Sequence, residues 1–227
     1  MLLTRRSFER REPERDAKCV YIFCEGAKRE YQYFEYFVGL SEKIKVVIYP
    51  IDSYSDDHSP LGLFKIACNC LNPTKENPNP IYELSDDVDE VWIVFDKDPD
   101  KKMSRETQIF KVKEECTKEN QHFARSVWNI AESNPCFEVW LYYHQQKEKP
   151  DFEEMDISAK WKPFVNSLFN GGFDSQRHPS LIKDAIVNAE KNHLEIDERP
   201  TVATTQVYRL GQSIYSLVKS KLRTEYE

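Results

Sequence analysis

The chain has 227 residues, of which 40% are hydrophobic and 13% aromatic, and a formal net charge of −7. That is enough apolar material for a sizeable core and excludes wholesale disorder, while the lack of any apolar run near ~18 residues excludes a helical membrane span. The acidic balance also excludes a protein that coats nucleic acid over its whole surface, although a carboxylate site with a bound cation needs only a local basic rim to hold phosphate.

Residues 1–18 carry six basic and four acidic side chains and almost nothing apolar. They read as a charged arm, either solvated or touching nucleic acid or a partner through Arg5, Arg6, Arg10 and Arg11. No apolar stretch there has the length of a secretory signal, so a cytoplasmic location is expected. The six cysteines form no CxxC pair and are expected as reduced thiols.

Cys19–Cys24 reads as a first strand, ending in Glu25 and Gly26. The helix after it places Tyr31, Phe34, Phe37 and Val38 on one packed stripe. A second strand is expected over residues 44–51, then a helix capped by Ser59 with Pro60 at its first position. Residues 72–88, rich in Pro, Asn and acids, read as a surface loop. Val91–Asp98, VWIVFDKD, is a third strand: five apolar residues break off into two carboxylates, Asp96 and Asp98. Side chains alternate in a strand, so these two face one side if the strand continues that far. Ser104 is expected to cap a helix that buries Ile109, Phe110, Val112 and Cys116. Residues 124–131 read as a fourth strand, followed by a helix capped by Asn134 and starting at Pro135.

Strands alternating with helices predict a mostly parallel four-stranded sheet with helices on both faces. Past Lys147 the texture becomes charged, and helices are expected over 158–169, 180–193 and 202–222. The domain reading is an arm over 1–18, a catalytic domain over 19–148 and a helical appendage over 149–227.

Glu25, Asp96 and Asp98, all at strand ends, form a hard-oxygen set suited to Mg²⁺ or Mn²⁺ if their strands are neighbours. Such a site supports metal-assisted phosphoryl transfer. Lys28, Arg29, Lys97, Lys101, Lys102 and Arg105 could clamp phosphates or stand as solvated charges. There is no GxxxxGK[ST], HExxH or GxSxG stretch, so P-loop, zincin and serine-hydrolase chemistry lack their motifs.

CEGAKREYQYF at 24–34, VWIVFDKD at 91–98, SNPCFEVWLYYH at 133–144 and RPTVATTQVYRL at 199–210 resemble the successive signatures of the RloB-like family, related to the AbiLii abortive-infection proteins. The resemblance implies a Toprim fold, with Glu25 as general acid/base and metal ligand and with Asp96 and Asp98 as further ligands. It also makes Glu138 a ligand or base; the other reading of Glu138 is a carboxylate stabilised by a helix N-terminus. By the same resemblance the chain is a nuclease of tRNA, other RNA or DNA in antiviral defence, working with an ABC- or SMC-like ATPase. The alternative is a non-catalytic binding or assembly module.

Overall fold

The computed structural model describes residues 18–26, 28–47, 59–72, 78, 80–98, 102–151 and 155–222. The charged arm to Ala17, the second half of the expected second strand, and Lys101 lie outside them, as do the side chains of Lys102 and Met103.

The described elements run β1 (Val20–Cys24), α1 (Arg29–Val38), β2 (Ile44–Val47), α2 (Pro60–Leu71), β3 (Glu90–Asp96), α3 (Lys102–Asn120), β4 (Trp128–Asn134), α4 (Glu138–Tyr142) and α5 (Ser158–Leu168). A 3₁₀ turn at His178–Leu181 leads into α6 (Ile182–Asn192), β5 (Glu195–Ile196), β6 (Arg199–Pro200), β7 (Thr204–Thr205) and α7 (Val207–Val218). The main sheet has the order β2-β1-β3-β4-β7. Its first four strands are parallel and β7 is antiparallel to β4. This is the mixed α/β, mostly parallel architecture expected of a Toprim-like fold, with one strand more than the four predicted.

Strand alternation divides the core. Val20, Ile22, Trp92, Val94 and Ala131 face α1, α4, α6 and α7, while Tyr21, Phe23, Ile93, Phe95 and Trp128 face α2 and α3. The stripe Val207, Leu210, Ile214 and Val218 of α7 is buried in the first of these layers, so the C-terminal helices share a core with the sheet.

Several local expectations needed correction. On α1 the buried residues are Tyr33, Phe34 and Phe37, and Tyr31 lies half-buried on the outer side. Helix α3 starts two residues before Ser104, and Phe110 on it is 63% exposed. Strand β4 begins at Trp128 because the Asn120 side chain closes a turn before it: Oδ1 accepts from the Val127 and Trp128 amides, and Nδ2 donates to the Trp128 carbonyl. It runs on to Asn134, which donates to the Pro200 carbonyl at 2.8 Å instead of capping a helix. The Asn134–Pro135 peptide is cis, and helix α4 starts only at Glu138.

His144 follows α4 into the core and is 2% exposed. Its Nδ1–H donates to the Trp140 carbonyl at 3.1 Å, which leaves Nε2 to accept from the Tyr33 hydroxyl at 3.0 Å. Burial lowers its pKa to about 3, so the imidazole is neutral when folded and gains a proton on unfolding below its ordinary pKa of about 6.5. Its contribution is therefore intact above about pH 6.5 and erodes by roughly 1.4 kcal/mol per pH unit as pH falls from there toward 3. At pH 5 the wild type should have lost about 2 kcal/mol relative to His144→Gln, as read from denaturation midpoints of both proteins at pH 7.5 and 5. A glutamine can keep both hydrogen bonds and cannot titrate; equal pH slopes would refute the assignment.

Candidate functional site

The chain goes from β1 to β2 on one side and then crosses back to place β3 on the other, so the order of the sheet reverses between β1 and β3. Helices α1 and α3, which follow these two strands, lie on opposite faces. In open parallel sheets this reversal opens a crevice beyond the carboxyl ends of the strands. Glu25 follows the last residue of β1, its amide donating to the Val94 carbonyl at 3.1 Å, and Asp96 is the last residue of β3.

The two carboxylates leave the sheet differently. Asp96 shares the face of Trp92 and Val94, toward α1 and α4, whereas Glu25 is turned toward α3. There Arg105, 4% exposed, grips it with two guanidinium nitrogens: Nη1 donates to Oε1 at 2.8 Å and Nη2 to Oε2. The same guanidinium donates through Nε to the Asp96 carbonyl at 3.1 Å and lies 5.9 Å from the centre of the Phe95 ring. A bidentate arginine fixes a carboxylate plane better than a lysine can. Arg105 thus points into the site rather than standing on a solvent-facing rim.

Around Asp96 three like-signed carboxylates are opposed by the Arg105 guanidinium. Burial pushes its pKa well above the ordinary carboxylate range, and Glu30, Glu25 and Glu138 push it further. Glu30, in the first turn of α1, is raised to about 7, first by burial and then by Glu138 and Glu25. Glu138 heads α4, with Arg29 Nε at 3.7 Å from its Oε1. Glu30 is the residue that the sequence reading missed. Its signal was a glutamate one helical turn beyond Glu25-Gly26, hidden in what reads as a plain aromatic helix.

Gly26 explains how Glu30 gets there. A Cβ on Gly26 would overlap the Glu30 carboxylate, which lies folded over the glycine. The clash is with the end of a flexible side chain, so Gly26→Ala should leave the melting temperature within a few degrees of wild type while displacing Glu30. If the cluster takes a divalent ion, that displacement should cost about tenfold in affinity for Mn²⁺ by calorimetry, the scale on which orienting groups act at metal sites. Unchanged affinity would remove Glu30 from the ligand set.

Asp98 is placed apart from the expected pairing. The strand stops at Asp96, and Asp98 has φ 47°, its amide donating to the Pro135 carbonyl at 3.1 Å. The i, i+2 alternation that would align it with Asp96 therefore does not apply. Lys28 is exposed and Lys97 half-buried. Among the described residues no three His, Cys, Asp or Glu side chains already surround one point as ligands. The donor chemistry nevertheless fits a hard divalent ion: clustered carboxylate oxygens whose mutual repulsion a cation would relieve.

The RloB-like protein family matches residues 20–214, from the first strand into α7. The chain belongs to the RloB-like family. Within this RloB-like protein the matched span contains every carboxylate of the cluster and the whole five-stranded sheet. No curated protein and no solved structure matches it. No described helix is long and apolar enough to cross a membrane.

Proposed function

We propose that this RloB-like protein is a Toprim-type nuclease that hydrolyses phosphodiesters with Mg²⁺ or Mn²⁺, acting in the cytoplasm as the effector of an antiviral defence system with an ABC- or SMC-like ATPase partner. The observation that carries the chemistry is the gathering of Glu25, Glu30, Asp96 and Glu138 at the β1/β3 reversal. Like charges are held together in a crevice where ligands of such sheets bind. The defence role and the ATPase come from the family resemblance.

In this reading Asp96, Glu30 and Glu138 would hold the ion, with Asp98 on the loop just beyond the strand. A bound ion would polarise a phosphate oxygen and stabilise the leaving oxygen. Glu25 acts as the general acid/base. Arg105 holds its carboxylate in one orientation, so that proton transfer occurs at a fixed oxygen. Lys28 and Lys97 are the described lysines placed to hold phosphate, and Arg29 lies beside Glu138.

One observation favours the second reading, a non-catalytic assembly module: both oxygens of Glu25 are engaged by Arg105, which supplies a positive charge without any metal. The test is to incubate the purified protein with labelled tRNA, single-stranded DNA and duplex DNA, with Mn²⁺, Mg²⁺ or EDTA. We expect cleavage in the presence of metal only. Calorimetric binding of Mn²⁺ without cleavage of any of these substrates would favour the assembly module.

A further inference from the structure

Beside the carboxylate cluster lies a second concavity, a cleft of about 500 Å³ between the outer side of α1 and the loop at 173–176. Its size is that of a small-molecule site. Three rings line it, Tyr31 and Tyr36 from the helix and Phe173 from the loop. Its polar groups are hydroxyls, amides and the carboxylates of Glu35 and Asp174, with no cation among the lining residues.

Both walls are built firmly. Phe173 packs on Phe169 at 5.1 Å between ring centres, on His144 at 5.6 Å and on Tyr33 at 6.4 Å. The Asp174 amide donates to His178 Nδ1 at 2.8 Å, and Asp174 Oδ1 accepts from the Gln176 amide at 2.8 Å. Gly171 and Gly172, at φ 83° and 88°, make the turn that brings this loop back to the helix.

Two features tie the cleft to the cluster. Tyr31 directly follows Glu30 on α1. On the other side Glu138 faces Arg29, Arg29 Nη1 donates to Asn166 Oδ1 at 3.4 Å, and the same oxygen accepts from the Phe173 amide at 3.5 Å. A chain whose phosphate sits at the cluster would pass Arg29 and deliver its next group to the aromatic walls. Two carboxylates without a cation repel phosphate, so the next group of such a chain to enter is its uncharged base, and one rich in N–H donors is favoured. A nucleobase carrying an exocyclic amino group meets both demands, since it stacks on aromatic rings and donates to Asp or Glu.

We propose that this cleft holds one unpaired nucleobase of the substrate, stacked against the aromatic walls and read through its amino edge by Glu35 and Asp174. The inference rests on the nuclease reading for the identity of the polymer, and it restricts the substrate to a single-stranded segment. A base still paired in a duplex could not enter.

The test uses free nucleosides, which carry no phosphate, with the full chain in EDTA, so that binding is independent of metal and of cleavage. By ligand-observed NMR, guanosine, adenosine and cytidine should bind, and uridine, which lacks an amino group, should bind about tenfold more weakly. Tyr36→Ala should weaken binding by about 10- to 100-fold, the range found for removal of a stacking platform. Glu35→Gln, at an exposed position, should erase the preference over uridine, as should Asp174→Asn. Asp96→Asn should leave nucleoside binding unchanged. Equal binding of uridine, insensitivity to Glu35→Gln, or preferential binding of a capped arginine amide would overturn the proposal, the last in favour of a basic peptide. Nucleoside binding by a protein that cleaves nothing would instead refute the nuclease reading and leave the cleft a base-binding site. Cleavage without nucleoside binding would refute the cleft alone.

Discussion

On the nuclease reading proposed above, Asp96→Asn should cut metal-dependent cleavage to a small residue and at the same time make the protein more stable. Asp96 is the carboxylate that Glu30, Glu25 and Glu138 all press upon, and in the absence of metal the fold bears that repulsion without return. Asparagine fills the same space and removes the charge, so we expect the metal-free variant to gain on the order of 1–2 kcal/mol, the scale of optimised charge changes, and to melt a few degrees higher. The loss in rate should reach about a thousandfold, because several kcal/mol of charge stabilisation vanish with the ligand. Adding Mn²⁺ should raise the melting temperature of the wild type and not that of the variant. A variant that melts lower than wild type in EDTA would give Asp96 a structural role instead.

The second large effect lies on the neighbouring strand, where Glu132 pairs with Phe95, one residue before Asp96. Glu132 on β4 is fully buried, and its carboxylate is held by Arg199 of β6 through Nε, 3.1 Å from each oxygen, and through Nη2. Arg199 also reaches Glu106 on α3. Arg199→Ala would leave a charge in the interior with no partner, and breaking a buried pair in this way costs about 3–5 kcal/mol. Since Arg199 keeps 22% of its side chain exposed, water can reach part of the gap, and we expect the lower end of that range. The urea midpoint should fall with an unchanged slope. The double variant Arg199→Met, Glu132→Leu should recover most of the loss, because it removes both charges together. If Arg199→Ala costs less than about 1 kcal/mol, the pair behaves like a surface salt bridge.

What could be read from the sequence, and what could not, divides along the range of the interactions. The first and third strands were legible because a buried parallel strand is a continuous apolar run, as VYIF and VWIVF show. Glu25 and Asp96 were legible because each ends such a run. Strand β4 was misplaced because its last three residues, Glu132, Ser133 and Asn134, are polar yet buried. Each is satisfied from far along the chain, by Arg199, by the Thr205 hydroxyl at 2.8 Å and by the Pro200 carbonyl. No local pattern announces partners more than sixty residues away. The same holds for β7, two threonines too short for any periodicity, and for Arg105, whose inward turn depends on where Glu25 emerges. Glu30 was missed for a different reason: an aromatic helix gives no sign that its first turn faces a crevice.

The dependence of β4 on residues 199–205 has a consequence for the order in which the protein comes into being. A ribosome delivers β1, β3 and β4 well before it delivers Arg199, Thr204 and Thr205, and until these arrive Glu132 and Asn134 have no partners. Domains condense as units during synthesis, so the strand ends that carry the carboxylates stay unassembled until α7 closes over them. A nascent chain that ends before Arg199 would thus hold Glu25, Glu30, Asp96 and Glu138 without the contacts that finish the strand beside them.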